Sequence, residues 1–142
     1  MFKSILIALD GSDTAKQAIP IALELAKADK ARVVIAHVEE RMATKARAPL
    51  HTDEDQIQAE LEILVEDLED QGIEATIELG DVMAGGSGVA HAIADIAQKS
   101  NADLIVAGTR GHSPIEGLLV GSVTIRLLHI AKQPVLVVPA SG

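Results

Sequence analysis

The sequence predicts an α/β fold: a single doubly wound, Rossmann-like domain over residues 1–142, with a five-stranded parallel sheet and four main helices. Apolar runs alternate with segments of helical periodicity, as they do in successive strand–helix–strand units. The runs are nearly continuous, which is typical of strands covered by helices on both faces. A chain of 142 residues suits one domain of ordinary size. We expect the strand order 3-2-1-4-5, in which strands one and four flank the point where the winding reverses.

The predicted strands are short and apolar, and they cover residues 5–9, 33–38, 73–79, 103–107 and 134–138. Four helices are predicted between them, because apolar residues recur there every three or four positions. The positions expected to be buried are, helix by helix, Ala15, Ala18, Ile19, Ala22, Leu25 and Ala26; Ile57, Leu61, Leu64, Val65 and Leu68; Val89, Ala92, Ile93, Ile96 and Ala97; and Val123, Leu127, Leu128 and Ala131.

The connections are predicted from their composition. Residues 39–53 lack periodicity and contain several basic residues and a proline, so we expect a mobile loop there. Gly80 is expected to end the third strand and to start a glycine-rich turn before the third helix. Ser12 or Asp13 is suited to cap the first helix.

The composition argues against several classes of function. The chain has 12 Lys and Arg against 21 Asp and Glu, and its formal charge of −9 disfavours binding to nucleic acid or to anionic membranes. Phe2 is its one aromatic residue, and there is no cysteine for a disulfide, a thiolate metal site or thiol catalysis. The opening residues do not resemble a signal peptide, and no apolar run is long enough to span a bilayer. We therefore expect a cytoplasmic protein.

A glycine pattern follows the fourth predicted strand. Gly108 comes directly after the strand, and Gly111 lies three residues further on. After nine more residues, Gly121 opens the fourth helix. Glycines let the backbone approach phosphate oxygens closely, and a helix N-terminus offers unpaired N–H groups with partial positive charge. The pattern therefore indicates a phosphate-binding loop. Side chains that can add hydrogen bonds to it are Arg110, Ser122 and Thr124.

Other motifs give weaker indications. The same glycines could form a connection that only caps the fourth helix and binds nothing. The Gly-Gly-Ser-Gly run at residues 85–88 lacks the third glycine of a dinucleotide fingerprint, and no P-loop lysine motif or G-x-S-x-G elbow occurs. None of the five histidines has a partner at the spacing of a helical zinc site, so they are expected to be solvated or hydrogen-bonded side chains. His112 is the exception, since it lies beside Gly111 and could approach a phosphate.

The sequence resembles the universal stress protein family in its ATP-binding form, which carries G-x-x-G, nine residues, and then G-S or G-T. The motif matches here with its spacing intact. The resemblance also covers residues 3–12, the end of the second strand at His37 and Val38, residues 102–108 and residues 134–139. It runs along the whole chain and is weakest over residues 39–53.

The resemblance implies an adenine-nucleotide site with a role for each matching residue. Asp10 would lie near the adenine and the ribose, Val38 would pack against the base, and Ala107 would border it where many relatives have a larger residue. A divalent cation, Mg²⁺ or Mn²⁺, would bridge the phosphates. The complete set of implied binding residues is Ala8, Leu9, Asp10, Val38, Ala107, Gly108, Arg110, Gly111, Gly121, Ser122, Val123 and Thr124.

By this resemblance the protein is an ATP-, ADP- or AMP-binding stress-response protein, a regulatory switch without catalytic residues. We also expect a homodimer, because the apolar fifth strand at residues 135–138 would be an exposed edge. Two alternatives are a ligand-free adaptor module and a receiver-like signalling domain. The receiver is suggested by Asp10, Asp13 and Asp81, but it requires a lysine after strand five, where this chain has Pro139.

Overall fold

Five strands and four helices alternate along the part of the chain that the structure, a computed structural model, describes: residues 1–9, 16–41, 52–83, 88–109 and 122–139. The strands are β1 (Ser4–Ala8), β2 (Arg32–Arg41), β3 (Ala75–Met83), β4 (Leu104–Gly108) and β5 (Val135–Val138). The helices are α1 (Ala18–Asp29), α2 (Thr52–Asp70), α3 (Gly88–Lys99) and α4 (Ser122–Ile130).

The strands form one parallel sheet in the order β3-β2-β1-β4-β5, as predicted. The central strand β1 pairs with β2 on one side and with β4 on the other, so the winding reverses between β1 and β4. In an open parallel sheet, a crevice forms at the carboxyl ends of the strands where the winding reverses. The topology therefore points to the ends of β1 and β4 as the place for a site.

Two apolar layers cover the faces of the sheet. Alternate residues of β1 show the division, since Ile5 and Ile7 pack with α1 and α2 whereas Leu6 packs with α3 and α4. The helices contribute small residues at the closest contacts, which lets them approach the sheet. The most deeply buried helical positions are Ala18, Ala22, Ala26, Leu61, Leu68, Ala90, Ile93, Ala97 and Leu127.

The positions predicted to be buried in α1, α2 and α3 agree with the structure where it describes them. The prediction for α4 was partly wrong. Val123 is 37% exposed and Leu128 is 52% exposed, while Thr124 and Leu127 face the sheet. Hydropathy favoured the aliphatic residues over threonine. The helix instead presents Thr124 inward because its hydroxyl has a hydrogen-bond acceptor there, which removes most of the cost of burying it.

The strands β2 and β3 are longer than predicted. β2 continues through Arg41, and β3 starts at Ala75 and continues through Gly80 to Met83, so residues 39–41 are not a loop and no turn begins at Gly80. The reason is that the two strands stabilise each other by pairing, with Val38 opposite Gly80 and a ladder that extends to Arg41 opposite Met83.

Helix α2 begins at Thr52, which removes residues 52 and 53 from the predicted loop as well. Several predictions fall on residues outside the described part of the chain. These are the remainder of the loop at residues 42–51, the glycine turn at residues 84–87, and the caps at Ser12 and Asp13. Within the described residues, no helix combines the length and the apolar character needed to cross a membrane.

Carboxylates hold the amino end of β1, at the opposite edge of the sheet from the crevice. Asp103 accepts hydrogen bonds from the backbone N–H groups of Lys3, at 2.9 Å, and Ser4, at 3.2 Å. Asp29, the last residue of α1, accepts one from the N–H of Phe2 at 2.7 Å. These bonds fix the entry of β1 into the sheet, far from its carboxyl end.

Candidate functional site

The ends of β1 and β4 separate at the edge of the sheet. The ladder between them stops where Ile7 lies opposite Val106, although β1 continues to Ala8 and β4 to Gly108. On its other side β1 stays attached to β2, because Leu9 N–H donates to the Ala36 carbonyl at 2.9 Å. The gap at the carboxyl end of the sheet therefore opens between β1 and β4, where the topology places a ligand crevice.

The first turn of α4 is fixed to the end of β4. The hydroxyl of Thr124 donates a hydrogen bond of 2.8 Å to the carbonyl oxygen of Gly108, and both residues are buried. Thr109 N–H donates to the Val138 carbonyl at 3.1 Å, which attaches the residue after β4 to β5. The N-terminus of α4 is thereby held beside the open end of β4.

The N-terminus of α4 is exposed, with Ser122 as its first residue and Val123 also accessible. The first N–H groups of a helix have no acceptor within the helix and carry partial positive charge, which favours an anion. Ser122 can add its hydroxyl. Thr124 donates its one hydroxyl proton to the Gly108 carbonyl. Its side chain therefore holds the first turn of α4 to the end of β4.

The apolar residues of the predicted site lie at the ends of β1 and β4 and, in β2, just beyond the ladder with β1. Ala8 and Val38 belong to the layer under α3 and α4, and Ala107 is buried near the end of β4. Gly80 flanks Val38, and a Cβ at Gly80 would lie 3.6 Å from Val38 Cγ2. These small side chains leave Val38 as the largest apolar group at this end of β2. It is suited to contact a planar base.

Leu9 is held within the fold by its side chain and by both of its backbone polar groups. Its side chain is buried in the opposite layer, under α1 and α2, and its N–H is bonded to Ala36. Its carbonyl lies 2.9 Å from Nδ1 of His37. Leu9 is therefore an anchor of the strand end, and the residue that follows it, Asp10, lies outside the described residues.

His37 lies next to the predicted site, although it is not among the twelve predicted binding residues. It is 5% exposed, within the apolar run at residues 33–38 of β2. A signal was available, since a polar side chain inside a continuous apolar run is buried and needs a partner. What the sequence did not supply was the partner, because the Leu9 carbonyl is 28 residues away along the chain.

Of the twelve predicted binding residues, the structure places eight at the ends of β1 and β4, in β2 just beyond its ladder with β1, and at the start of α4. They are Ala8, Leu9, Val38, Ala107, Gly108, Ser122, Val123 and Thr124. The other four, Asp10, Arg110, Gly111 and Gly121, lie outside the described residues. Among the described side chains, no group of three or more His, Asp and Glu could hold a metal ion.

Fold and site together define the class of protein: a doubly wound α/β domain with a crevice between its first and fourth strands and a helix N-terminus beside it. The sequence model of the universal stress protein family matches residues 1–139. The chain belongs to that family. A universal stress protein of Thermus aquaticus is 35% identical over 97% of this chain and 99% of its own length.

Solved structures of the same family share the fold. A universal stress family protein from Burkholderia pseudomallei is 32% identical, with a TM-score of 0.69 over 97% of this chain and 96% of its own. One from Archaeoglobus fulgidus, in complex with dAMP, is 25% identical, with a TM-score of 0.65 over 95% and 96%. Another universal stress protein, in complex with cAMP, is 28% identical, with a TM-score of 0.64 over 96% of each chain.

Proposed function

We propose that the protein binds an adenine nucleotide, ATP in the first place, in the crevice between β1 and β4, and that it acts as a stress-response regulator. The observation that carries the proposal is the hydrogen bond from Thr124 to Gly108, which holds an exposed helix N-terminus at the open end of β4. If α4 served only to connect β4 with β5, its first turn would not need to be fixed beside the end of β4, which is unpaired on the side of β1.

The crevice divides into two halves with different chemistry. The ends of β1 and β2 supply Ala8 and Val38, an apolar surface for the base, and Asp10 follows β1 as an acceptor for the ribose hydroxyls. The end of β4 and the start of α4 supply backbone N–H groups and the Ser122 hydroxyl for the phosphates. The glycines of residues 108–121 complete the phosphate half by sequence.

Two kinds of support favour an adenine nucleotide over another phosphate ester. Two relatives of the same fold are complexes with cAMP and dAMP. The glycine spacing that includes Gly108 and Gly121 matches the ATP-binding form of the family. A divalent cation, Mg²⁺ or Mn²⁺, would enter with the phosphates, since the described side chains form no cluster of three or more acidic or histidine ligands.

We propose a binding protein, a switch whose state follows its ligand, and no efficient catalysis. General-base catalysis needs a carboxylate or imidazole within hydrogen-bond reach of the attacking water. At the phosphate half, the described side chains are those of Ser122, Val123 and Thr124, and none of them is such a base. We expect ATP turnover no faster than that of a variant with a disrupted phosphate loop.

The test is the ligand carried by the purified protein. Denaturation followed by mass spectrometry of the released small molecules should give ATP, ADP or AMP at near-stoichiometric yield. Titration of native, nucleotide-free protein with ATP and Mg²⁺ should show binding. No released nucleotide together with no heat of binding would overturn the proposal. It would favour the alternative of an adaptor module of the same fold that binds no ligand.

We further propose a homodimer through β5. This strand stands at one end of the sheet, and its residues 135–137 are only half-buried, although they are apolar. Exposed apolar edges promote pairing with another strand. A matched pair of variants tests the contact: Val137→Lys on β5 and Thr76→Lys on β3, the opposite edge. Light scattering at micromolar protein should give a dimer for the parent and for Thr76→Lys, and a monomer for Val137→Lys. A monomeric parent would contradict the proposal.

A further inference from the structure

The hydrogen bond between His37 and Leu9 joins the end of β1 to β2. The imidazole is buried, and its Nδ1 lies 2.9 Å from the Leu9 carbonyl oxygen. A carbonyl oxygen only accepts hydrogen bonds, so Nδ1 carries the proton and donates it. Leu9 lies one residue beyond the last β1–β2 pair, Ala8 with Ala36. The side chain of His37 therefore ties β1 to β2 beyond the end of their ladder.

From this placement we propose that His37 is a positioning residue for the adenosine half of the nucleotide site. The inference rests on the proposed adenine-nucleotide function. His37 is the neighbour of Val38, the apolar residue proposed to contact the base, and Leu9 is the neighbour of Asp10, proposed to contact the ribose. One side-chain bond thus fixes the end of β1 to the part of β2 that carries Val38.

Burial makes this bond effective. His37 is 5% exposed and Leu9 is 7% exposed, so water does not compete for the donor or for the acceptor. Ile35, on the same face of β2, belongs to the core layer beneath α1 and α2. Removal of the donor would leave the Leu9 carbonyl with one partner fewer in a region that water reaches poorly, and the end of β1 would shift to find another.

The bond acts on one half of the crevice. The phosphate half is held by a separate contact, the Thr124 hydroxyl on the Gly108 carbonyl, at the junction of β4 and α4. The ladder between β1 and β4 has already ended at Ile7 and Val106, so a shift at Leu9 is not passed to Gly108 through paired backbone. Loss of the His37 bond should therefore weaken the adenosine contribution and leave the phosphate contribution unchanged.

Two variants and two ligands separate these contributions. His37→Leu removes the donor and keeps an apolar side chain of similar bulk. His37→Asn keeps an N–H donor at the same number of bonds from Cβ as Nδ1. Affinities for ATP and AMP are measured by calorimetry well below the melting temperature of each variant. For His37→Leu we expect about tenfold weaker binding of both ligands, the equivalent of one buried hydrogen bond. For His37→Asn we expect less than about a threefold loss.

The ratio of the two affinities distinguishes positioning from general damage. The ATP-to-AMP ratio should stay at the parent value in His37→Leu and fall in Thr124→Val, which acts on the phosphate half. Parent-like affinity in His37→Leu would overturn the proposal, and so would a loss confined to ATP or an equal loss in His37→Asn. Failure of the proposed function itself would appear in the parent, as absence of binding to either nucleotide.

The tautomer gives a readout that does not depend on a nucleotide. Long-range ¹H–¹⁵N correlation spectra of the neutral ring should show His37 with the proton on Nδ1, as donation to the Leu9 carbonyl requires. A neutral ring protonated on Nε2 alone would remove the bond and with it the proposal.

Discussion

The hydroxyl of Thr124 and the carbonyl of Gly108 lie 2.8 Å apart, across the junction of the fourth strand and the helix that follows it. The two residues are 16 positions apart in the chain, so the bond also closes the segment that contains the remaining glycines of the proposed phosphate loop. A single buried side chain thus holds both ends of that segment together.

Replacement of Thr124 by Val should uncouple the two ends. The variant keeps the shape of the side chain but leaves the Gly108 carbonyl without this donor, and we expect it to unfold about 1 kcal/mol more readily. ATP affinity should fall as well, because the helix N-terminus is no longer fixed beside β4. Thr124→Ser, which keeps the hydroxyl, is the control. Equal denaturation midpoints and equal ATP affinities for Thr124→Val and Thr124→Ser would contradict the role assigned to the bond.

A second prediction concerns Gly121, which lies outside the described residues and is argued from the motif alone. Gly121→Val should weaken ATP binding at least about a hundredfold, because a branched side chain prevents close approach of phosphate to the backbone. The fold should persist, since a glycine contributes no side chain to the core. Circular dichroism verifies folding and calorimetry measures binding. An unchanged ATP affinity would mean that the phosphates lie elsewhere.

Two other glycines form a matched pair for stability. Gly72 has a φ of +85°, and a Cβ added there would meet open space. Gly80 lies in β3, and a Cβ added there would lie 3.6 Å from Val38 Cγ2. Gly72→Ala should destabilise by about 1 kcal/mol through backbone strain alone. Gly80→Ala should be neutral or stabilise by about 0.5 kcal/mol, because alanine restricts the unfolded chain. Urea denaturation measures both. A more destabilised Gly80→Ala would mean that Val38 has no room to accept the methyl group.

Asp29 gives a pH dependence with a definite sign. The N–H of Phe2, followed by the amino group of Met1, lowers the pKa of this carboxyl below its usual value. Because the pKa of Asp29 is lower in the folded state, its carboxylate stabilises the fold at pH values above the ordinary pKa of Asp, near 3.9. This contribution disappears as the pH falls through the pKa of the folded state. Asp29→Asn should lose this part of the acid dependence in urea denaturation between neutral pH and about pH 2. Glu62→Gln removes one negative charge from an exposed position of α2 and is the control for the change in net charge. The same acid dependence in Asp29→Asn and in the parent would exclude the effect.

The sequence predicted the architecture because the fold depends on patterns that are local. Continuous apolar runs and helical stripes are each contained in a short segment, and the strand order followed from the alternation of those segments. The bounds of β2 and β3 were not predicted, because pairs such as Glu39 with Asp81 extend the ladder through residues that have no strand pattern of their own. Pairing between strands overrides local propensity.

The structure brings the described residues of the predicted site together, and it adds contacts that the sequence could not supply. Parallel strands bring their carboxyl ends to one edge whatever their side chains are, which explains why the ends of β1, β2 and β4 converge. Whether a hydroxyl or a carbonyl faces a ligand or another residue is decided by contacts over 16 to 28 positions of chain, as at Thr124 and Leu9. No local pattern contains that information.

The carboxylate of Asp103 has a consequence for the order in which the chain assembles. It accepts the backbone N–H groups of Lys3 and Ser4, about 100 residues earlier, just before β4 pairs with β1. During synthesis, β1 and β2 can meet early, but the central strand gains its second neighbour and this anchor only after residue 108 has left the ribosome. Until then, one edge of β1 stays open to incorrect pairing. The last third of the chain therefore acts as the closing step of folding, and truncation before β4 should yield an aggregating fragment instead of a smaller stable domain.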